Sequence, residues 1–143
     1  MKDVARRTAV RVAAPRVTTI LAVALGIGLF TQGVLAGGIA GGHHSWVSAH
    51  QDLGDFLIVL PLSNLVLGLL AGRRSSESRS ALALRAMILA SVVAVIVTGH
   101  AGGIWLAVHV PAAVATVVLV ARQLATCVAA QSEGNTGGIG RAK

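Results

Sequence analysis

Charged residues divide this chain into long uncharged stretches. From Val17 to Gln51 no position carries a formal charge; a second such run covers Phe56 to Gly72 and a third Ala86 to Ala121. A helix needs about 20 apolar residues to cross the hydrocarbon core of a bilayer. The first and third runs are too long for one helix, and both break at glycines. The pattern therefore predicts four helices, at about 17–40, 47–72, 81–100 and 104–128, preceded by a basic segment over 1–16. The expected fold is all-α: an integral membrane four-helix bundle made of two helical hairpins. The stretch from 129 to 143 is mostly polar and rich in glycine, ending in "QSEGNTGGIGRAK", and such composition predicts a disordered tail.

Composition supports the membrane assignment. The chain is 55% hydrophobic and 12% charged, with mean hydropathy +0.78, where a soluble domain carries about 25% charged residues. A net charge of +7 and a pI near 11.6 would suit a nucleic-acid binder. Here, however, the basic residues sit at the ends of apolar runs, with no basic stripe interleaved with aromatics, so no nucleic-acid partner is expected. All 12 Lys and Arg fall in 1–16, in 73–85, or from Arg122 onward. By the positive-inside rule both termini and the "GRRSSESRS" loop are cytoplasmic, and the turns at 41–52 and 101–104 face outward. The expected location is the plasma membrane of a bacterium, with the lipid bilayer as the first partner. The apolar stretch behind Arg6-Arg7 exceeds a signal-peptide core of about 7–15 residues and reads as the first span. A lone cysteine, Cys127, excludes an internal disulfide and a C-x-x-C motif.

One phrase occurs twice. "AGGHHSWVSAH" ends the first outer turn and "AGGIWLAVH" the second, so that Trp46 precedes His50 by four residues and Trp105 precedes His109 by four. A proline follows in each second helix, Pro61 and Pro111. The chain reads as two parallel hairpins related by an axis along the membrane normal, an arrangement that places sites at the repeat interface. Trp46 and Trp105 fit the membrane–water interface, each on the same helical face as its histidine and one turn above it as a lid.

The histidines are the candidate chemistry, because an ionisable group within a span is expensive. His109 lies 13 residues before Arg122, about 20 Å of helix. His50 lies 23 residues before Arg73, about 35 Å. Depth counted this way puts His50 higher, while depth counted from the two turns removes most of the difference, each histidine being four residues after its tryptophan. His100 is a competing ligand. Two neutral imidazoles on facing helices can be both axial ligands of a haem iron, held in the core of a bundle. Gly33, Gly37 and Gly38, with Gly99, Gly102 and Gly103, offer room for a flat macrocycle or for close helix packing. Pro61 and Pro111 should free the carbonyls of Leu57 and Ala107, with Ser63 and Asn64 as available partners.

The "QGVLAGG" of Gln32 to Gly38, the "HQDLG" of His50 to Gly54 and the "HVP" of His109 to Pro111 resemble one half of heme A synthase, and small bacterial four-helix relatives of it. The resemblance covers about 30–126. It implies b-type haem held between histidines of the second and fourth helices, here His50 and His109. The chain departs from that family in having one four-helix unit, no long first outer loop, and no glutamate beside the first histidine; its outer acids, Asp52 and Asp55, follow His50. The resemblance therefore implies a haem-binding scaffold, serving electron transfer or haem handling beside a membrane redox partner or a second copy, rather than the oxygenating enzyme. Two other readings stand beside it. His43, His44, His50 and Asp52 within ten residues could hold Cu or Zn, which suit imidazole. A cofactor-free structural or accessory subunit would use its histidines only to cap helix ends.

Overall fold

The computed structural model describes residues 2–72 and 79–136. Part of the loop after the second span, 73–78, and the end of the tail, 137–143, lie outside the described residues. Among the described residues there are only helices: α1 (Lys2–Ala40), α2 (Val47–Leu57), α3 (Val59–Gly72), α4 (Arg79–Ala101) and α5 (Leu106–Thr136), with 3₁₀ turns at His44–Trp46 and Gly103–Trp105. They make four helical segments long and apolar enough to cross a membrane, Arg16–Ala40, His44–Ala71, Arg79–Ala101 and Gly103–Ser132, α2 and α3 together forming the second.

The outer helix ends fall where the glycines and tryptophans predict them. Two inner ends do not. α1 begins at Lys2 rather than near 17, and α5 continues to Thr136 rather than ending near 128. Charge marks where the membrane stops, but propensity decides where a helix stops. Ala129, Ala130 and Gln131 are good helix formers, and α5 runs on through 129–136 of the stretch expected to be disordered. Gln131 also donates from Nε2 to Thr19 Oγ1 at 3.2 Å, which ties the end of α5 to α1.

Pro61 has the predicted effect. It cannot bond the Leu57 carbonyl, α2 ends at Leu57, and the ladder resumes with Leu62 N–H donating to Ile58 O at 3.2 Å. Asn64, the partner expected for such a carbonyl, is buried, and its own Oδ1 has no partner. Pro111 leaves α5 continuous, because it lies close to the helix start, where few preceding turns must yield.

The spans form a closed square. α1 packs on α2 and α3; α3 packs on α4; α4 packs on α5; and α5 returns to α1. The second and fourth spans therefore occupy opposite corners. Each span gives one residue to the central cluster of Leu25, Leu57, Ile88 and Val120. Gly28 lets α1 approach Leu57 so closely that a Cβ there would lie 2.2 Å from Leu57 Cδ2. Buried Thr116 is tied both locally and across the bundle: its Oγ1 donates to Ala112 O at 2.8 Å and shares a hydrogen bond with Ser91 of α4. Such interhelical bonds are worth about 0.6 kcal/mol in a membrane. The outer surface is apolar, with Ile20, Phe30, Phe56, Val97, Ile104 and Val118 exposed. A surface this apolar needs lipid around it. The molecule is a multi-pass membrane bundle.

Candidate functional site

The repeated phrase is a repeated structure. Each histidine-bearing turn ends in a 3₁₀ turn whose last residue is tryptophan, Trp46 or Trp105, and an α-helix starts at the next residue. His50 is then the fourth residue of α2, and His109 the fourth of α5. Counting from the turns, rather than from the inner arginines, predicts their relative position. Arg122 misleads because α5 runs well past it, to Thr136.

His50 and His109 come from opposite corners of the square and meet inside it, ring centres 6.3 Å apart and planes at 65°. Both are half-buried. His109 is held firmly: its Nδ1 lies 2.8 Å from Val95 O and 3.5 Å from Thr98 Oγ1 on α4. A carbonyl only accepts, so Nδ1 of a neutral His109 carries the proton and Nε2 carries the lone pair. Gly99 makes this contact possible. A Cβ at that position would stand 2.9 Å from His109 Cε1 and 3.1 Å from Nδ1. His50 is held by its backbone: Gln32 of α1 donates from Nε2 to the His50 carbonyl at 2.8 Å. Gln32 Oε1 and His50 Nδ1 are buried without partners.

The other candidates are placed elsewhere. His100 is exposed, its Nδ1 3.0 Å from Ile96 O and its Nε2 3.6 Å from Asp55 Oδ2, so it links α4 to α2 on the outside rather than joining the pair. His43 stacks on Trp46 at 5.1 Å between ring centres, and His43, His44 and Asp52 are exposed. The outer cluster does not assemble: among the described residues no three His, Cys, Asp or Glu side chains converge on a point that could hold a metal ion. Trp46 lies against Gly38 of α1, where a Cβ would be 2.3 Å from its ring, while Trp105 is exposed. The glycines divide likewise. The space at Gly38 and Gly99 is filled by a ring, Gly102 and Gly103 shape the turn, and Gly33 and Gly37 face open space.

Gln32 and Val95 are the parts of the site to which residue types alone gave no role; Gly99 was among the glycines expected to give room, and the room it gives is for the His109 ring. For Gln32 the signal was present: an amide in an uncharged span has to find partners. Val95 contributes only its backbone, which no side-chain pattern reveals.

An apolar groove of about 370 Å³ runs along the α1–α5 seam, lined by Gly26, Phe30, Val117 and Ala121 among others. It begins at Val117, eight residues inward of His109 on α5, or about 12 Å of helix. Comparison with protein-family models, with curated proteins and with solved structures finds no match.

Proposed function

We propose that this protein is a small membrane haem carrier or electron-transfer subunit, with His50 and His109 as the axial ligands of b-type haem. The observation that carries the reading is the meeting of two histidines, one from each hairpin, across the bundle at 6.3 Å. A bare Cu or Zn ion takes three or four protein ligands, and the described residues supply two at this point. Haem needs only two, since the macrocycle provides the rest. His109 also has the bond that orients a ligating imidazole, Nδ1 to a backbone carbonyl, as metal-bound histidines generally do. Bound haem would supply one-electron chemistry; the chain's part is to fix both imidazoles and to shield them from water.

The distribution of Lys and Arg supports the finer location: a bacterial plasma membrane, both termini in the cytoplasm and the histidine pair toward the outer side. A haem in that position would exchange electrons with a membrane redox partner. This reading keeps the scaffold of a heme A synthase half without its oxygenating chemistry.

The test is spectroscopic. Protein made in membranes with haem supplied, then purified in detergent, is expected to show b-type bands in reduced-minus-oxidised spectra. His50→Ala and His109→Ala should each abolish the six-coordinate signature. A colourless protein that is fully helical by circular dichroism would overturn the haem reading in favour of a cofactor-free subunit.

A further inference from the structure

Arg122 is the one formally charged residue of the fourth span, Gly103–Ser132. It stands ten residues before the end of that span, about 15 Å of helix. A charge inside a span is costly and calls for a counter-charge. Among the described residues no hydrogen bond or ion pair reaches Arg122. The acids whose side chains are described, Asp52 and Asp55, belong to α2 at the histidine end of the bundle. Glu133 follows on α5 eleven residues later, about 16 Å along the helix. Two openings flank this arginine. On one side of α5 Arg122 lines a cleft of about 170 Å³, with Thr126 on the same wall and Ser80, Ala81 and Leu84 of α4 on the other. The Thr126 hydroxyl already donates to Gln123 O at 2.7 Å, so the guanidinium is the free donor of the α5 wall. On the other side runs the apolar groove of the α1–α5 seam. Its walls include Ala121 and Leu124, which bracket Arg122 in the chain, and it extends from them to Val117 and Phe30, toward the histidine end. Between the two openings Val118 and Ala125 are exposed.

We propose that this end of the bundle holds one anionic phospholipid, its phosphate on Arg122 in the α4–α5 cleft and an acyl chain in the α1–α5 groove, so that the lipid straddles the exposed edge of α5. The two openings have the polarity and the order of that molecule. A guanidinium binds a phosphate through two parallel N–H groups, and basic clefts between spanning helices take anionic headgroups. The groove starts at the level of the guanidinium and leads away from the end of the span, the direction an acyl chain takes from its headgroup. Free phosphate would meet the same guanidinium but leave the groove unfilled. A zwitterionic lipid would fill the groove but bring an ammonium beside Arg122. Gly26 keeps the groove open: a Cβ there meets only Val120 Cγ1, at 3.9 Å, so a longer side chain has space to enter. The site depends neither on the haem reading nor on which side of the membrane this end faces.

The test uses the full chain in nonionic detergent, stripped of lipid and titrated with phosphatidylglycerol or phosphatidylcholine of identical acyl chains. Native mass spectrometry counts the lipid retained. One phosphatidylglycerol is expected to be held more tightly than phosphatidylcholine. Arg122→Gln should cut its retention about fivefold, the usual worth of one cation beside an anionic lipid, and leave phosphatidylcholine unchanged. Arg16→Gln removes an exposed cation of α1 that lines neither opening and should change nothing; an equal loss there would mean attraction to positive charge in general and overturn the site. Gly26→Leu fills the groove and should weaken both lipids; no effect would overturn the placement of the acyl chain. Excess inorganic phosphate should not displace the lipid, and displacement would make this a free-anion site instead. Equal retention of the two lipids by wild type, or unchanged retention in Arg122→Gln, overturns the proposal. Should Arg122→Gln fail to fold by circular dichroism, the wild-type preference and Gly26→Leu decide it.

Discussion

At the scale of single residues, Gly99 shows how a missing side chain can specify a site. Alanine is the better helix former by up to about 1 kcal/mol, so Gly99→Ala on a helix with no other constraint would stabilise. Here the added methyl meets the His109 ring at 2.9 Å. The ring can swing away, but it then gives up the Val95 carbonyl. The expected outcome is a bundle at least as resistant to thermal unfolding as the parent, with haem affinity lowered about 10–100-fold. Haem titration beside melting in the same detergent would check it, and equal loss of both would count against a ligand-orienting role. The histidines themselves were legible in the sequence because ionisable groups are rare in such stretches. Their supports were legible only in part: Gln32 has a polar side chain to notice, whereas Gly99 and the Val95 carbonyl acquire meaning only once α5 is docked on α4.

At the scale of elements, the outer turns were readable and the inner helix ends were not. Glycine pairs and tryptophans are strong local punctuation, and α1 and α2 end and begin at Ala40 and Val47. Inner ends were assigned from charge, which reports membrane depth. α1 and α5 instead continue through charged sequence that still favours helix. The break at Pro61 was predictable and the continuity through Pro111 was not, because the outcome depends on distance from a helix start that the sequence leaves uncertain. The second turn makes a sharper demand. Gly102 adopts φ 60° and ψ −164°, a conformation essentially confined to glycine, and forcing another residue there costs on the order of 1–3 kcal/mol. Gly102→Ala should therefore lower unfolding stability by about that amount in detergent denaturation. Gly33→Ala, placed where a Cβ meets nothing within 4 Å, should leave stability unchanged or slightly raised.

At the scale of the whole molecule, the bundle is polar inside and apolar outside relative to a soluble protein: Thr18, Asn64, Thr98, Thr116 and Gln123 are buried, while Phe30, Phe56 and Ile104 face outward. Composition alone announced this inversion. The square arrangement was not announced, since four apolar helices can pack in several orders, and only the order found here sets His50 diagonally across from His109. The proposed orientation predicts that a reporter enzyme active only outside the cytoplasm stays silent when fused after Lys143 and works when inserted at Gly42; the opposite pattern would place the histidine pair on the inner side. The closure of α5 onto α1 has a consequence in time. A ribosome delivers the first hairpin, with His50, while the second is still unmade. The seam that completes the square joins the first span to the fourth, so the place where the two imidazoles meet cannot exist until the fourth span has been made. A growing chain paused after the third span would thus hold His50 without the imidazole that faces it: the histidine pair itself becomes a record that both hairpins have been made.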